Sequence, residues 1–322
     1  SYDHNGKIFI YSQDIKKKTF VYDFYKKKFK NFKKKIYLII NDNILYAADN
    51  LGYIYAINLS NRSLLWAKNY GIPFRSNIKI SNNQLFIANQ DNVIYSINIS
   101  SGVKNWQFAT GLTFLKSDFE NSFALDKTNN SLFFLNTNGE LYSLNYLNQN
   151  INWILNFKNS QLSGDTNLFL SHPILIKYDN LIISTEKALF SYNKLNGTKN
   201  WSFPAELILK PVVTSDYTYL ITKNDLLICL NNESGDVAWS KKIYKSLNKK
   251  KINKKNKKFY DLKIENKEVY LFSNNGYLLS FSPSNGELIN SKKISKNGIS
   301  SEIVFLEDYM LLLDESNKLL KF

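Results

Sequence analysis

Apolar and polar residues succeed one another along this chain in short runs that recur. Leu85 to Ala88 is apolar, Asn89 to Asn92 is polar, Val93 to Asn98 is apolar again, and the turn Ser101-Gly102 leads to Trp106. Runs this short predict strands, and the Asn, Asp and Gly between them suit tight turns because they tolerate positive backbone dihedrals. The compact residues Ala56, Ser96, Ser143, Ser191 and Cys229 stand ten positions before Trp66, Trp106, Trp153, Trp201 and Trp239, so five copies share one register. A sixth copy keeps Ser280 and the turn Asn285-Gly286 but has Asn290 in place of tryptophan.

A weaker copy opens the chain, with strands expected over Lys7 to Tyr11 and Phe20 to Phe24 and a poorly patterned third over Phe29 to Phe32. Later copies begin at Ile44, Leu85, Leu132, Leu181, Tyr217 and Val269, and a terminal one at Tyr309. The compact residues are spaced by 40, 47, 48, 38 and 51 positions. A period of ~40 to 50 residues with about four strands each marks the blades of a β-propeller. Counting the first and last copies, the pattern predicts an all-β, eight-bladed propeller of four-stranded antiparallel blades, its first and last blades incomplete. The chain reads as a single domain, 1–322, with blades near 1–35, 36–70, 71–111, 112–158, 159–204, 205–243, 259–295 and 296–322 and a Lys-rich insertion at 245–258. Trp66, Trp106, Trp153, Trp201 and Trp239 are expected to dock one blade on the next, since each can remove ~150 to 250 Å² from water.

Composition changes this picture little. The 44% hydrophobic and 15% aromatic residues supply a core and exclude wholesale disorder. A net charge of +15 draws phosphate-bearing surfaces, or simply reflects a chain rich in Lys and Asn. The run Lys26 to Lys35, with Phe29 and Phe32 interleaved, reads either as an anion contact or as a lysine-guarded edge strand. Lys245 to Lys258 reads as an anion contact or a solvated loop. The single Cys229 excludes an intrachain disulfide.

No apolar run approaches the ~20 residues of a spanning helix, and the opening Ser1-Tyr2-Asp3 reads as a processed or truncated start. His4 and His172 lack metal-ligand spacing, and no Gly-x-Ser-x-Gly, Walker or dinucleotide glycine motif occurs. Asp49, Asp91 and Asp225 fall in predicted turns, where Asp serves the turn. No catalytic, cofactor-binding or metal-ligating residue is expected.

Tyr55-Ala56-Ile57-Asn58, Tyr95-Ser96-Ile97-Asn98 and Asn196-Gly197-Thr198-Lys199-Asn200-Trp201 resemble the propeller repeats of the pyrroloquinoline-quinone (PQQ) type, over nearly the whole chain. WD-type repeats fit worse, because no Trp is followed by Asp. Within that group the chain is similar to the BamB-like lipoproteins of the outer-membrane β-barrel assembly machinery, whose penultimate blade lacks its Trp, as at Asn290, and which stop after the middle strands of the last, as at Lys318 to Phe322. The resemblance implies a non-enzymatic scaffold without cofactor, periplasmic and held to the inner face of a Gram-negative outer membrane. It further implies upstream residues carrying a lipid anchor and the strand that closes the last blade.

The implied partners are the POTRA domains of BamA, other assembly subunits and unfolded outer-membrane proteins, with no specific nucleic acid. The family's partner-binding segment, Leu-x-Leu-Arg, falls in the connection from Gly111 to Glu120, where within Thr113-Phe114-Leu115-Lys116 only Leu115-Lys116 resembles it and Thr113 replaces the first Leu; Phe114, Leu115 and Lys116 are the expected partner-binding residues. Lys lacks the planar fork of Arg, and Phe114-Leu115 could equally be the next blade's inner strand. The family's aspartates before Thr-Thr-Pro are replaced by Leu168-Phe169-Leu170 before Ser171-His172-Pro173. Two other readings remain open. Quinone-dependent dehydrogenases share the repeat but resemble one another in a Ca²⁺ site, a catalytic Asp and adjacent cysteines. A polyanion-binding propeller would show steep salt dependence.

Overall fold

A computed structural model describes residues 1–11, 18–26, 28–29, 31–111, 120–158, 169–243, 259–306, 309–316 and 318–322. Each repeat becomes one antiparallel sheet whose strands pair in chain order. The copy holding Leu85 runs through Lys79–Ser81, Gln84–Ala88, Val93–Asn98 and Lys104–Ala109.

Cross-strand geometry explains the ten-residue spacing. Ala56, Ser96, Ser143, Ser191 and Cys229 are the direct partners of Trp66, Trp106, Trp153, Trp201 and Trp239 across the last hairpin of each blade. The same compact residues face Tyr46, Phe86, Phe133, Ile182 and Tyr219 on the preceding strand. Strands lie ~4.8 Å apart, so side chains two strands away meet only by leaning over a small residue between them. The ring centroids are 6.2 Å apart for Tyr46 and Trp66, 5.9 Å for Phe86 and Trp106, 5.7 Å for Phe133 and Trp153, and 6.0 Å for Tyr219 and Trp239. A bulge precedes each indole; Ile57 pairs with Leu64 while Ala56 pairs with Trp66, leaving Leu65 unopposed.

The chain divides into two compact units, Ser1–Ile174 and Leu175–Phe322. The first holds a two-stranded hairpin, Lys7–Tyr11 with Lys18–Asp23, and three blades. Blade one comprises Ile36–Asn41, Ile44–Asp49, Tyr53–Asn58 and Leu64–Asn69; blade two is the copy above; blade three comprises Ser122–Asp126, Ser131–Leu135, Glu140–Asn145 and Ile151–Asn156. The second unit holds blade four (Leu175–Lys177, Asn180–Ser184, Ala188–Asn193, Lys199–Pro204) and blade five (Val212–Val213, Tyr217–Ile221, Leu226–Asn231, Val237–Lys242). Blade six (Phe259–Glu265, Glu268–Ser273, Tyr277–Phe281, Leu288–Lys293) and a three-stranded blade seven (Val304–Leu306, Tyr309–Leu313, Leu319–Lys321) complete it.

Among the described residues the fold is therefore an all-β propeller of four-stranded antiparallel blades with seven blades, not the eight that the repeats predict, and no helix. The opening copy stops at two strands. Its expected third strand and lysine-guarded edge do not form, because Lys26 and Phe29 adopt φ of 50° and 56° and the chain turns there. Lys34 folds inward instead: its ammonium donates to the Phe29 carbonyl and lies 5.3 Å from the Tyr25 ring centroid. The strands expected to open each copy are its second strands; in blades two, four, five and seven the true first strands are shorter, as at Val212–Val213.

Successive blades within a unit are latched by indoles. Trp66 Nε1 donates to the Ile99 carbonyl at 2.8 Å, Trp201 to Asn232 at 2.8 Å, and Trp239 to Pro283 at 2.9 Å. Three residues beyond each acceptor stands a glycine of positive φ, Gly102, Gly235 or Gly286, with the indole lying where a Cβ would be. Trp66 is thereby buried among Tyr46, Ile80, Leu85 and Ile97 of blades one and two. Trp106 and Trp153 are half-buried.

Candidate partner-binding site

Phe114, Leu115 and Lys116 lie in 112–119, outside the described residues; the chain on either side shows how that segment is held. The platform is the second hairpin turn of blade two. Asn89 Oδ1 accepts from the backbone N–H groups of Asp91 and Val93 at 2.9 and 3.0 Å. Asp49 does the same for Leu51 and Tyr53, and Asn136 for Asn138 and Glu140. At the left-handed position of this turn blades one and three carry Gly52 and Gly139, but blade two carries Asn92, at φ 61°. An amide there adds a grip that glycine lacks.

Both ends of the 112–119 segment meet on that buried amide. The Asn92 main-chain carbonyl accepts from the Thr110 N–H at 3.1 Å and from Thr110 Oγ1 at 2.9 Å, and Asn92 Nδ2 donates to the Gly111 carbonyl at 3.4 Å. On the far side, Asn121 Nδ2 donates to Asn92 Oδ1 at 3.5 Å and to the Asn89 carbonyl at 3.3 Å. Asn92 Nδ2 also reaches Thr137 Oγ1 of blade three at 2.9 Å. Asn136 links Thr110 Oγ1, at 3.2 Å, with Glu140 Oε2, at 2.8 Å. Burial, then the Glu140 charge, raises the pKa of the neighbouring Tyr142 hydroxyl. Glu120, at the segment's end, pairs with Lys35 at 3.7 Å. The described residues on either side of 112–119 thus converge on one hairpin turn of a β scaffold, where recognition segments are commonly carried.

The next connection is rooted the same way. Phe157 and Phe169 stack with centroids 5.8 Å apart, Phe157 N–H donates to the Gly139 carbonyl at 2.8 Å, and Phe169 N–H to Thr137 at 2.9 Å. Residues 159–168, including Leu168, are outside the described set. Ser122 Oγ lies 2.7 Å from Ser171 Oγ and donates to the His172 carbonyl at 2.8 Å, strapping the chain to blade three. Both connections thus leave from the turns 89–92 and 136–139, at one end of blades two and three.

The remaining candidates are scattered. Asp49 is buried; burial raises its carboxyl pKa while Tyr25 and backbone N–H groups pull it back. Asp91 and Asp225 occupy hairpin turns. Burial pushes the Cys229 thiol up to about 11. His4 is exposed, with its carbonyl accepting from Lys34 N–H. The Lys245 to Lys258 run is outside the described residues. Among the described residues no three His, Cys, Asp or Glu side chains gather as a metal site. Sequence reasoning missed Asn92, Asn121 and Thr137; the available signal was Asn92 in a slot that is Gly52 and Gly139 in neighbouring copies.

Comparison with known proteins agrees with this architecture. Residues 30–241 and 181–310 match the family model described as outer membrane protein assembly factor BamB. The structure superposes on BamB from Moraxella catarrhalis with a TM-score of 0.77 and 10% identity, covering 100% of this chain and 92% of that one. It is also similar to the computationally designed Ika8 protein (TM-score 0.71, 10% identity, 99% and 91% covered) and to U3-55K (TM-score 0.57, 10% identity, 87% and 88% covered). At that identity these likenesses speak to the fold. No curated protein matches the sequence.

Proposed function

The chain belongs to the BamB family of PQQ-type propellers, and on that premise we propose that it is a non-enzymatic scaffold of outer-membrane protein assembly. It docks on the POTRA domains of BamA, beside the other assembly subunits, and holds unfolded outer-membrane proteins near the site of insertion. It works in the periplasm, tethered to the inner face of the outer membrane through a lipid anchor upstream of Ser1. The observation that carries this reading is the family match over residues 30–310. The sequence of 112–119 suits it, since Phe114, Leu115 and Lys116 supply the apolar and cationic residue types that partner interfaces favour.

The test is a titration of the protein, upstream residues included, against the POTRA domains of its cognate BamA at low and moderate salt. Micromolar or tighter binding that survives salt and weakens about tenfold in Leu115→Ala or Lys116→Ala supports the proposal. Absence of binding by the folded protein refutes it.

A further inference from the structure

At the end of blades one to three opposite to Asn92, the turns between first and second strands lie against those between third and fourth. The Leu59 N–H donates to the Asn43 carbonyl at 3.0 Å and the Ile99 N–H to the Asn83 carbonyl at 3.2 Å. Between these turns opens a cavity of about 390 Å³, lined by Asn41, Asp42, Ser81, Asn82, Asn83 and Lys127 together with Ile80 and Ile99. That volume is within the range of small-molecule sites.

Part of its polar lining is already engaged, since Asn41 Nδ2 donates to Asp42 Oδ2 at 2.6 Å, and part stands open to solvent. Elsewhere in this unit the fold consumes the turn amides: Asn58, Asn98 and Asn145 each accept two backbone N–H groups. Among the described residues the exposed side chains of Asn82 and Asn83 take part in no hydrogen bond, and the exposed Lys127 in no ion pair. The rest of the lining, by contrast, is fixed. Ile99 is held by Asn83 through its N–H and by the Trp66 indole, at 2.8 Å, through its carbonyl. Ser81 Oγ lies 3.1 Å from the Tyr146 hydroxyl, whose one proton goes to Asn130 Oδ1 at 3.0 Å. Ser81 therefore donates to Tyr146 and turns its lone pairs to the cavity.

The lining thus offers three carboxamides, of which Asn82 and Asn83 are free to act as donor and acceptor while Asn41 donates to Asp42, with a hydroxyl acceptor, one carboxylate offset by one ammonium, and two aliphatic patches. A polyphosphate would need an excess of cations, and a divalent cation more than one carboxylate without an ammonium beside it. An apolar ligand would strand the amides. A pyranose matches every group, because its hydroxyls pair with amides and its C–H face rests on Ile80 and Ile99. We propose that this cavity is a saccharide-binding site for one or two sugar rings, separate from the partner-binding segment and independent of the assembly reading.

The experiment is an NMR titration of the full chain with N,N′-diacetylchitobiose and with maltose, following the side-chain amides of Asn82 and Asn83, with inorganic phosphate and trialanine in parallel. Asn82 and Asn83 have φ of 47° and 58°, which glycine adopts freely, so Asn82→Gly and Asn83→Gly remove the amides without straining the turn. Saturable shifts with either disaccharide, weakened roughly three- to tenfold per amide removed in variants of unchanged melting temperature, support the site. Lys127→Ala, at an exposed position, gives a second variant that leaves the turn intact. The proposal is overturned if neither disaccharide saturates, if binding is unchanged in the glycine variants, or if phosphate or trialanine saturates the same amides more tightly.

Discussion

Replacing Gly102 by alanine tests the indole latch, because the same unit holds its own control. Gly102 and Gly71 have φ of 68° and 77°, so alanine at either is forced into the left-handed region. That strain is worth roughly 1 kcal/mol. A Cβ at Gly71 meets nothing within 4 Å, whereas one at Gly102 would stand 2.7 Å from Trp66 Cδ2 and closer still to Cε3. The indole must then lift. Re-exposing about 60 Å² of it costs ~1.5 kcal/mol, and losing the bond to the Ile99 carbonyl about 1 kcal/mol more. Gly71→Ala should therefore cost about 1 kcal/mol and Gly102→Ala about 3 to 4, a difference of roughly 4 to 12 °C in melting temperature at ~2 to 4 °C per kcal/mol. Urea titration followed by tryptophan fluorescence measures both. Equal losses in the two variants would refute the latch and leave backbone strain as the whole effect.

Asn92→Gly restores the residue of the neighbouring turns while deleting the side-chain grip on Gly111 and Asn121; it should cost about 1 to 2 kcal/mol in thermal melts and, under the proposed function, weaken POTRA binding. The Cys229 thiol, raised to about 11 by burial, should be ionised to the extent of only about one part in a thousand at pH 8 and resist thiol reagents until the chain unfolds. Cys229→Leu should cost about 1 to 3 kcal/mol by wedging apart Tyr219 and Trp239, measurable by urea unfolding. Burial raises the Asp49 carboxyl pKa, so the folded state keeps its proton to higher pH than the unfolded chain; its contribution is present below pH ~4 and lost as pH rises through the folded value. Asp49→Asn, which keeps the acceptor that Asn89 and Asn136 supply in their turns, should gain stability at pH 7, and the gain should shrink on acidification. A gain that grows toward acid would overturn that account.

What the sequence made legible follows from how local each feature is. The ten-residue interval between a compact residue and a tryptophan is one hairpin plus its bulge, so it survives as a pattern whatever surrounds it. First strands such as Lys79–Ser81 and Val212–Val213 are too short to show any alternation. The blade count failed at Phe29 to Phe32, where Phe and Lys alternate as in a strand but the chain turns, drawing Lys34 over Tyr25. That choice belongs to tertiary packing and leaves no periodic trace. At the candidate site, Asn92 looks like one more turn asparagine; its grip on two loop roots 10 residues apart, Gly111 and Asn121, exists only once blades two and three are stacked. Phe114, Leu115 and Lys116 remain a proposal carried by family likeness.

The latch between Trp66 and Gly102 also sets a clock. Its two halves are separated by 36 residues, 66 to 102. Wherever the chain emerges N-terminus first, the outer strand of blade one must wait for those 36 residues before the turn that covers its indole is present. During that interval a flat aromatic surface and an exposed strand edge face the surroundings, and a like wait recurs for Trp201, 34 residues ahead of Gly235, and a longer one for Trp239, 47 residues ahead of Gly286. Any factor that shields nascent apolar surface would find its targets in those pauses, one blade behind the growing end.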